Sequence, residues 1–374
     1  MGEEMNNEIL PEETPEKPET AAAPLPPKKG KKKLKKGLLI GGGCVVGLII
    51  LIIILLLVFA GGKLKLINRG SNWKMPSQQD IDDYMAQQTE PVPEDAVVVD
   101  PDDIQWGESI GSLEDGDDII NILLIGMDSR PGERYSRSDT MILCTLNKVN
   151  KTITLTSFMR DMYVQIPGHY PNRINASYFF GGTKLLNETL AHNFGVEVDA
   201  NVEINMEGFC ACIDQMGGID IELTQSEANY MINNNLRANP EEPVWQLHAG
   251  LNHLTGAQAL VYARNRTTGN GDFDRTLRQK KVITAAINKA KTMNIYEINQ
   301  LIDKFLPYLT TDMSDTEIID YTWTVVAMFD ELQVKQSRIP ANGTFYGAWV
   351  QGMSVLIPNL EANRKVLEDV MKVN

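Results

Sequence analysis

The sequence predicts an α/β domain preceded by one transmembrane helix. Three observations support this: an uncharged apolar run at residues 37–60, three strand-like apolar segments within residues 121–157, and helix patterns that alternate with further strands up to residue 281. Apolar residues make up 43% and charged residues 22% of the 374 residues, as in ordinary globular proteins. Because the net charge is −14, we expect no nucleic-acid partner.

Residues 37–60 are the predicted transmembrane helix. About two dozen uncharged residues rich in Leu, Ile and Val are enough to cross a hydrocarbon core of ~30 Å. Seven lysines precede the run within residues 28–36 and only four basic residues follow it up to Lys74, so the N-terminus is expected in the cytoplasm. A cleaved signal peptide would have a shorter apolar core. We therefore expect a single-pass protein of the cell membrane with an extracellular C-terminal domain.

The segments on both sides of this helix have compositions typical of unfolded chain. Residues 1–36 contain Pro-Glu-Thr repeats and no aromatic residue, which predicts a disordered cytoplasmic tail. Between Met75 and Asp118 there are fourteen acidic residues and no Lys or Arg. Such a segment repels itself, so residues 61–118 are predicted to be an acidic extracytoplasmic stalk, with room for a short helix at 78–88. The folded domain is then expected to span residues 119–374.

Charged residues flank the first three predicted strands. They are Asp128 and Arg130 after Asn121–Gly126, Arg137 and Asp139 before Thr140–Leu146, and Arg160 and Asp161 after Thr152–Ser157. Alternation and the short connection at 147–151 predict an antiparallel hairpin of the second and third strands. If the first two strands are also antiparallel, all six charges lie at one rim of the sheet. The alternative is that these charges flank the strands only because rims are solvated.

Helices and strands alternate beyond this hairpin. The predicted elements are a helix at Gly182–Phe194, a strand at Val196–Ile204, a helix at Glu207–Met216 ended by two glycines, a strand at Ile219–Leu223, and a helix at Ala257–Ala263 capped by Thr255. This order is typical of an α/β domain.

The segment 263–281 concentrates arginine. It carries Arg264, Arg266, Arg275, Arg278 and Gln279 together with Asp272 and Asp274. The planar guanidinium matches phosphate oxygens bidentately, so an acidic chain with such a segment is expected to bind an anion there. Carboxylates at the predicted rim suggest that a divalent ion is shared with that anion, as Mg²⁺ commonly is. Ion pairing among these Arg and Asp residues at the surface is the alternative.

The remaining reactive residues indicate little chemistry. The four cysteines are interpreted as buried free thiols, with a bridge from Cys144 to Cys210 or Cys212 left open, and no spacing resembles a zinc site. The four histidines are interpreted as ordinary surface or loop residues. The sequence has no G-x-S-x-G, Walker or H-E-x-x-H motif, so covalent catalysis is not indicated.

Several ordered motifs resemble the LytR–CpsA–Psr family of cell-wall proteins. Within residues 121–279 they are NILLIGMDSR, RSDTMIL, MRDMYVQIPG, RINASYFFGG, GFCACIDQMGGIDIEL and LTGAQALVYARNR…GDFDRTLRQ, and the C-terminal SVLIPNLEANRKVLEDV also fits. One departure is visible, since Phe158-Met159 stands where the family commonly has Ile-Pro. This departure changes the local shape beside Arg160 and removes no charged group.

The resemblance implies a three-layer α/β/α domain with a mixed central β-sheet outside the membrane. It also implies a phosphotransferase that moves a glycopolymer, such as a teichoic acid or capsule precursor, from a polyprenyl-pyrophosphate carrier onto a peptidoglycan hydroxyl through a phosphodiester. By the same resemblance, Asp128 and Asp139 match the residues that bind the metal, Mg²⁺, in the family. The residues that match the family's pyrophosphate-binding side chains are Arg130, Arg160, Arg264, Arg266, Arg275 and Gln279. Asp272 lies in the same motif as Arg275 and Gln279. A Gram-positive host and an apolar tunnel for the lipid tail are implied as well.

Phosphoryl transfer of this kind depends on positioning and charge neutralisation more than on covalent chemistry. The expected catalytic residues are Asp128, Arg130, Asp139, Arg160 and Asp272, and each of the three aspartates is a candidate for the general base. Two other functions stay open. One is a hydrolase that uses the same site with water as the acceptor, and the other is a non-catalytic sensor or regulator that binds polyprenyl phosphate.

Overall fold

The computed structural model describes residues 62–106, 111–113, 116–128, 137–238, 241, 243–269, 272–290, 292–328 and 331–373. The predicted tail and transmembrane helix lie outside these ranges. Within the ranges, no helix combines the length and the apolar character that crossing a bilayer requires.

Nine α-helices and thirteen strands are present in the described residues. The helices are α1 (Gln78–Gln87), α2 (Asn175–Phe194), α3 (Met206–Gln215), α4 (Gln225–Ala238), α5 (Gly256–Arg264), α6 (Asp272–Ala290), α7 (Ile295–Phe305), α8 (Asp315–Met328) and α9 (Leu360–Met371). The strands are β1 (Asn68–Arg69), β2 (Ile119–Asp128), β3 (Arg137–Asn147), β4 (Thr152–Phe158), β5 (Tyr163–Val164), β6 (Asn172–Arg173), β7 (Ala200–Asn205), β8 (Ile219–Leu223), β9 (Gly250–Leu254), β10 (Leu309–Thr311), β11 (Gln333–Ile339), β12 (Phe345–Val350) and β13 (Met353–Pro358).

Seven strands form one mixed sheet in the order β1-β10-β7-β2-β3-β4-β11. β3 is antiparallel to β4, as the sequence predicts, and it is also antiparallel to β2, which the sequence left open. β7 and β11 join in parallel to β2 and β4. The end of β2, the start of β3 and the end of β4 therefore share one rim. The other strands described form three two-stranded sheets, β5–β6, β8–β9 and β12–β13.

Helices cover both faces of this sheet. Alternate strand residues point to opposite faces, so Leu143 belongs to one apolar core while Cys144 and Leu146 belong to the other. The first core is covered by α1, α2 and α9, and the second by α3 to α8. An α/β fold with a mixed central sheet and flanking helices is thus confirmed.

Much of the predicted stalk is part of this domain. β1 pairs in parallel with β10, Leu64 and Ile67 are buried, and α1 stacks Tyr84 on Phe179 with ring centroids 4.1 Å apart. The prediction of an extended stalk over 61–118 is therefore wrong for the residues described. The acidic side chains of α1 lie mostly at the surface, and a few well-spaced apolar residues supply the packing.

Two other local predictions need correction. Helix α2 begins at Asn175 rather than Gly182, and a kink at Gly181 and Gly182 separates its first turns from the rest. Gly182 has a φ of +67°, and a Cβ there would lie 2.8 Å from the Trp73 ring, so both the backbone and the close approach require glycine. The strand predicted from Val196 is shorter and begins at Ala200.

The cysteines within the described ranges are free, so the bridge that the sequence left open does not form there. Burial raises the pKa of Cys144 and Cys212 to about 12. Such thiols are inert at neutral pH. Cys44 lies outside the described residues.

Candidate active site

A β-bulge at the rim of the sheet positions Asp139. In the β2–β3 ladder, Gly126 pairs with Thr140 and Met127 pairs with Ser138, which leaves Asp139 as the extra residue. A bulge redirects the side chain of its extra residue. Asp139 consequently lines the same cavity as its neighbour Thr140, although strict alternation would place the two on opposite faces.

Two arginines from different elements contact Asp139. Arg160, just beyond β4, donates from Nη1 to Asp139 Oδ1 at 2.5 Å, and its Nε lies 3.3 Å from Asp161 Oδ1. Arg266, just beyond α5, brings Nη2 to 3.9 Å from Asp139 Oδ2. The side chains of Arg160 and Asp139 are only 13% and 19% exposed. Asp139, Arg160 and Arg266, which the sequence separates by tens of residues, therefore form one compact cluster.

The charge of Asp139 is set by its basic neighbours. Burial raises the pKa of its carboxyl, but Arg160, Arg275 and Arg266 outweigh burial and hold the pKa below the ordinary value of 3.8. An effective general base needs a pKa near the working pH. Asp139 is therefore suited to fix Arg160 or to hold a cation, and poorly suited to take a proton from a hydroxyl.

One face of α6 carries both charged and apolar parts of the cavity wall. Arg275 and Gln279 come first, and Val282, Ile283 and Ala286 follow at helical spacing on the same face. Arg275 is buried, with 5% of its surface exposed. A ligand that lies along this face meets a guanidinium and an amide at one end and only apolar side chains further on.

Arg278 has a structural role beside this face. Its Nε donates to Glu227 Oε1 at 2.9 Å and its Nη1 donates to the Asn265 carbonyl at 2.8 Å. Its Nη2 donates to the carbonyl and the hydroxyl of Thr268. These bonds fix the loop between α5 and α6, and this loop carries Arg266.

A cavity of about 1200 Å³ lies between the sheet and the helices of the second core. Its apolar walls include Ile122 and Leu124 of β2, Ile142 and Leu146 of β3, Leu155 of β4, Val202 of β7, Phe209 of α3, Val261 of α5 and Val325 of α8. Its polar lining includes six predicted site residues, Asp139, Arg160, Arg264, Arg266, Arg275 and Gln279. Since a strand rises about 3.3 Å per residue, Leu146 lies roughly 20 Å from the charged rim, so the cavity is charged at one end and apolar beyond it.

The other predicted site residues are only partly described. The backbone of Asp128 pairs with Arg137 at the last position of the β2–β3 ladder, and Asp272 is the first residue of α6. Their side chains, and the whole of Arg130, lie outside what the structure describes. Among the residues described, no three His, Cys, Asp or Glu side chains cluster as a metal site would. Asp139, a described carboxylate that lines the cavity beside the arginines, fits a hard cation that is shared with a bound anion.

One wall of this cavity consists of residues that the sequence does not predict to lie in the site. Gln87, Gln88 and Glu90, at and beyond the end of α1, line the cavity together with Arg173 of β6. The capping box formed by Ser77 and Asp80 is a helix-start signal that predicts α1. No feature of the sequence indicates that the end of this helix reaches the site.

The departure at Phe158-Met159 has a structural counterpart. The Met159 N–H donates to the Ile339 carbonyl at 2.8 Å, which extends the pairing of β4 and β11 by one residue. Proline has no N–H and cannot make this bond. The departure therefore adds a backbone tie directly before Arg160.

The fold and the cavity can now be compared with known proteins. The family model LytR_cpsA_psr matches residues 79–372, from within α1 to just beyond α9. The chain belongs to the LytR–CpsA–Psr family. Its family resemblance therefore extends well beyond residues 121–279 and includes α1.

Named members of the LytR–CpsA–Psr family are transferases. The chain is 32% identical to the "polyisoprenyl-teichoic acid–peptidoglycan teichoic acid transferase TagU" of Bacillus licheniformis, over 62% of this chain and 71% of the relative. It is 33% identical to the TagU protein of Oceanobacillus iheyensis, over 55% of this chain and 62% of that relative. Membership of the LytR–CpsA–Psr family thus places the chain in a transferase family.

A solved LytR–CpsA–Psr structure shares the fold. The structure named "TagT bound to LIIa-WTA" superposes with a TM-score of 0.51 at 25% identity, over 71% of this chain and 95% of that chain. The described domain thus corresponds to nearly the whole of that protein.

Proposed function

We propose that the protein is a phosphotransferase that moves a glycopolymer from a polyprenyl-pyrophosphate carrier onto a hydroxyl of peptidoglycan. The observation that carries this proposal is the face of α6, where Arg275 and Gln279 are followed by Val282, Ile283 and Ala286. Such a wall is complementary to a ligand with an anionic head and a long apolar tail. The TagU relatives and the TagT structure, by their names, support a glycopolymer of the teichoic acid type.

In this proposal the two parts of the carrier occupy the two parts of the cavity. The polyprenyl tail packs between the sheet and α3, α5, α6 and α8, where burying apolar surface contributes about 25 cal/mol per Å². The pyrophosphate lies at the rim, and its proposed ligands are Arg130, Arg160, Arg264, Arg266, Arg275 and Gln279. Guanidinium groups suit this task because they bind phosphate oxygens bidentately.

The reaction is a displacement at phosphorus. The acceptor hydroxyl oxygen attacks the phosphorus that bears the glycan, the bond from that phosphorus to the bridging oxygen breaks, and polyprenyl monophosphate leaves with the electron pair. The hydroxyl proton passes to a base, for which Asp272 is a better candidate than Asp139, whose pKa is lowered, or Asp128, whose pKa a bound cation would lower. Arg160 and its neighbours stabilise the charge that develops on the phosphate oxygens.

We propose Mg²⁺ as the cofactor, with Asp128 and Asp139 as its ligands. When bound, the ion would neutralise charge on the pyrophosphate oxygens. Asp139→Asn should weaken Mg²⁺ binding to the protein loaded with polyprenyl pyrophosphate, as measured by titration calorimetry. Full transfer in excess chelator would contradict this cofactor.

The proposed reaction takes place at the outer surface of the cell membrane. The apolar run at residues 37–60 would anchor the domain there, with the N-terminus in the cytoplasm. A membrane-embedded carrier has to be met at the bilayer surface, so the anchor is consistent with the substrate.

The test follows a labelled saccharide through the reaction. The full-length protein is incubated with a labelled polyprenyl-pyrophosphate saccharide, nascent glycan strands and Mg²⁺. Label in the glycan supports the transferase. Release as free sugar phosphate would indicate the hydrolase, and label that stays on bound lipid would indicate a sensor or carrier.

A matched pair of arginine variants connects this result to the site. Arg160→Ala removes a rim guanidinium and should lower the transfer rate by about 10²–10³-fold, the usual loss for one preorganised donor. Arg237→Ala, at the exposed end of α4, should leave the rate unchanged. Equal rates in both variants would contradict the role of Arg160.

A further inference from the structure

The wall formed by Gln87, Gln88, Glu90 and Arg173 is chemically different from the rest of the cavity. The other charged residues of the lining are four arginines and Asp139, and most of the uncharged lining is apolar. This wall presents two amides, a carboxylate and a guanidinium. The proposed pyrophosphate and lipid sites use none of these four residues.

Gln88 is the most unusual member of the wall. It is 5% exposed, and neither its Oε1 nor its Nε2 has a hydrogen-bond partner in the part of the chain described. Leaving buried polar groups unpaired costs about 1–3 kcal/mol for each group. A buried amide that lines a cavity recovers this loss when a ligand supplies a donor and an acceptor.

Arg173 connects this wall to the charged rim. Its Nη2 donates to the Ser354 carbonyl at 2.9 Å, while its Nε lies 3.8 Å from Asp161 Oδ1, beyond hydrogen-bond distance. Asp161 also lies 3.3 Å from Arg160 Nε. One carboxylate therefore links Arg173 to the residue that contacts Asp139.

The wall is held in place from both sides. Tyr84 of α1 stacks on Phe179 of α2, and the Glu90 N–H donates to the Gly352 carbonyl at 2.9 Å. At the start of the helix, Ser77 and Asp80 form a capping box. The end of α1 is thus a preformed part of the cavity.

The composition of this wall indicates its ligand. Amides both donate to and accept from hydroxyl groups, and a carboxylate accepts from them, whereas Glu90 would repel a phosphate. Tyr84 belongs to the core on the sheet face opposite the apolar cavity, so the lipid tail and this wall lie on different sides of the rim. The ligand of this wall is therefore expected to carry many hydroxyl groups and to lie on the side of the pyrophosphate away from the lipid tail. A saccharide has both properties.

We propose that Gln88, with Glu90 and Arg173, forms a saccharide subsite next to Arg160. This inference rests on the proposed function and adds to it the place where sugar is bound. The saccharide comes either from the glycopolymer of the donor or from the peptidoglycan acceptor, and the chemistry of the wall is the same for both.

The test compares two glutamine variants of α1 in the full-length protein. Gln88→Leu removes both hydrogen-bonding groups at nearly constant volume, and Gln78→Leu makes the same change at an exposed position of the same helix. Transfer is measured while the donor and the acceptor concentrations are varied separately. Gln88→Leu should raise one KM about tenfold, and Gln78→Leu should raise neither.

The pattern of KM values identifies the source of the sugar. A higher KM for the glycan strands assigns the subsite to the acceptor. A higher KM for the donor, with unchanged binding of polyprenyl pyrophosphate that lacks a sugar, assigns it to the donor saccharide. Unchanged KM values for both substrates, or weaker binding of the sugar-free lipid, would overturn the subsite.

Two further measurements separate this result from other failures. The unfolding free energy of Gln88→Leu should equal or exceed that of the wild type, because an unpaired buried amide has been removed. If Gln88→Leu does not fold, Gln88→Met serves in its place. If the wild type shows no transfer, the proposed function fails, but the subsite can still be tested by calorimetric titration with a peptidoglycan tetrasaccharide and with the free donor saccharide. The subsite is overturned if neither saccharide binds the wild type more tightly than it binds the Gln88 variant.

Discussion

At the scale of the residue, Asp139 shows how a single inserted position creates a site. The bulge in the β2–β3 ladder directs its carboxylate toward Arg160 and Arg266. Buried carboxylates ordinarily become harder to ionise, but here the guanidinium groups reverse the direction of the pKa shift. The charge of Asp139 therefore depends on the same arginines that would bind a substrate phosphate.

The lowered pKa of Asp139 has a consequence for stability against pH. A carboxyl with a lowered folded pKa contributes stability that is present above its ordinary pKa of 3.8 and lost as the pH falls through the folded value. We expect Asp139→Asn to flatten the dependence of the unfolding free energy on pH in the acid range, as measured by urea unfolding between about pH 5 and pH 2. An unchanged slope would contradict the ion pair with Arg160.

The sequence predicts a charged rim, and the structure brings Asp139 and Arg160 together there, but the sequence does not distinguish the roles of the arginines on α6. Arg160 and Asp139 could be found because charged residues at matched strand ends meet at one rim. Arg275 and Arg278 are three positions apart on one helix, yet the first lines the cavity and the second binds Glu227. That difference depends on how α6 packs on α4, which the sequence does not show.

At the scale of the element, the junction between β4 and Arg160 is open to a direct test. Met159→Pro removes the donor to the Ile339 carbonyl, and we expect the unfolding free energy to fall by about 1 kcal/mol or more. Met159→Leu keeps the N–H and should be nearly neutral. Denaturant unfolding measures both variants. Equal stability of the two would show that the backbone bond has no net effect.

β1 is a second element with a measurable contribution. Removal of residues 62–73 takes away a strand of the sheet, the buried residues Leu64 and Ile67, and the partners of the Glu203 carboxylate, which accepts from Ser71 Oγ at 2.7 Å. We expect a fragment that begins at residue 62 to unfold cooperatively. Fragments that begin at residue 74 or 119 should be markedly less stable or fail to fold, as measured by circular dichroism on heating. Equal melting temperatures would contradict the role of β1.

The elements differ in how far sequence could predict them. β2, β3 and β4 are apolar runs with clear ends. The short connection at 147–151 predicts the antiparallel pairing of β3 with β4, whereas the pairing of β2 with β3 was open until the structure showed it. β1 and α1 lie in a segment with many acidic residues, and this composition gives no sign of the few apolar side chains that pack into the domain. The evidence that Leu64, Ile67 and Tyr84 are buried exists only in the tertiary structure.

At the scale of the whole molecule, the cavity should select its ligand by chain length. Ala286→Trp places a large ring in the apolar part, away from the charged rim. We expect weaker binding of a long-chain polyprenyl pyrophosphate and unchanged binding of a short-chain one, as measured by calorimetry. Ala257→Trp, at an exposed position of α5, is the control. If Ala286→Trp unfolds the domain through overpacking, Ile283→Phe makes a smaller change to the same wall.

Equal losses for the long-chain and short-chain ligands would contradict an apolar site for the tail. Loss of long-chain binding alone would show that the sheet and the helices of the second core act together as one receptor. No single element of the sequence predicts that property, because the lining comes from five strands of the central sheet and from all six helices, α3 to α8, on that face.

The attachment of residues 63–69 bears on how far the domain would reach from a membrane. Lys63 contacts Asn299 at 2.6 Å and Asp303 at 2.7 Å on α7, and Arg69 contacts Met313 and Asp315. If residues 37–60 span the bilayer as the sequence predicts, only two residues, or about 10 Å of chain, separate the membrane from this attachment. An extended 61–118 would have allowed a reach of roughly 200 Å. With such an anchor, this short connection would confine the domain to the layer where a lipid headgroup lies, and any acceptor would have to be brought to the membrane.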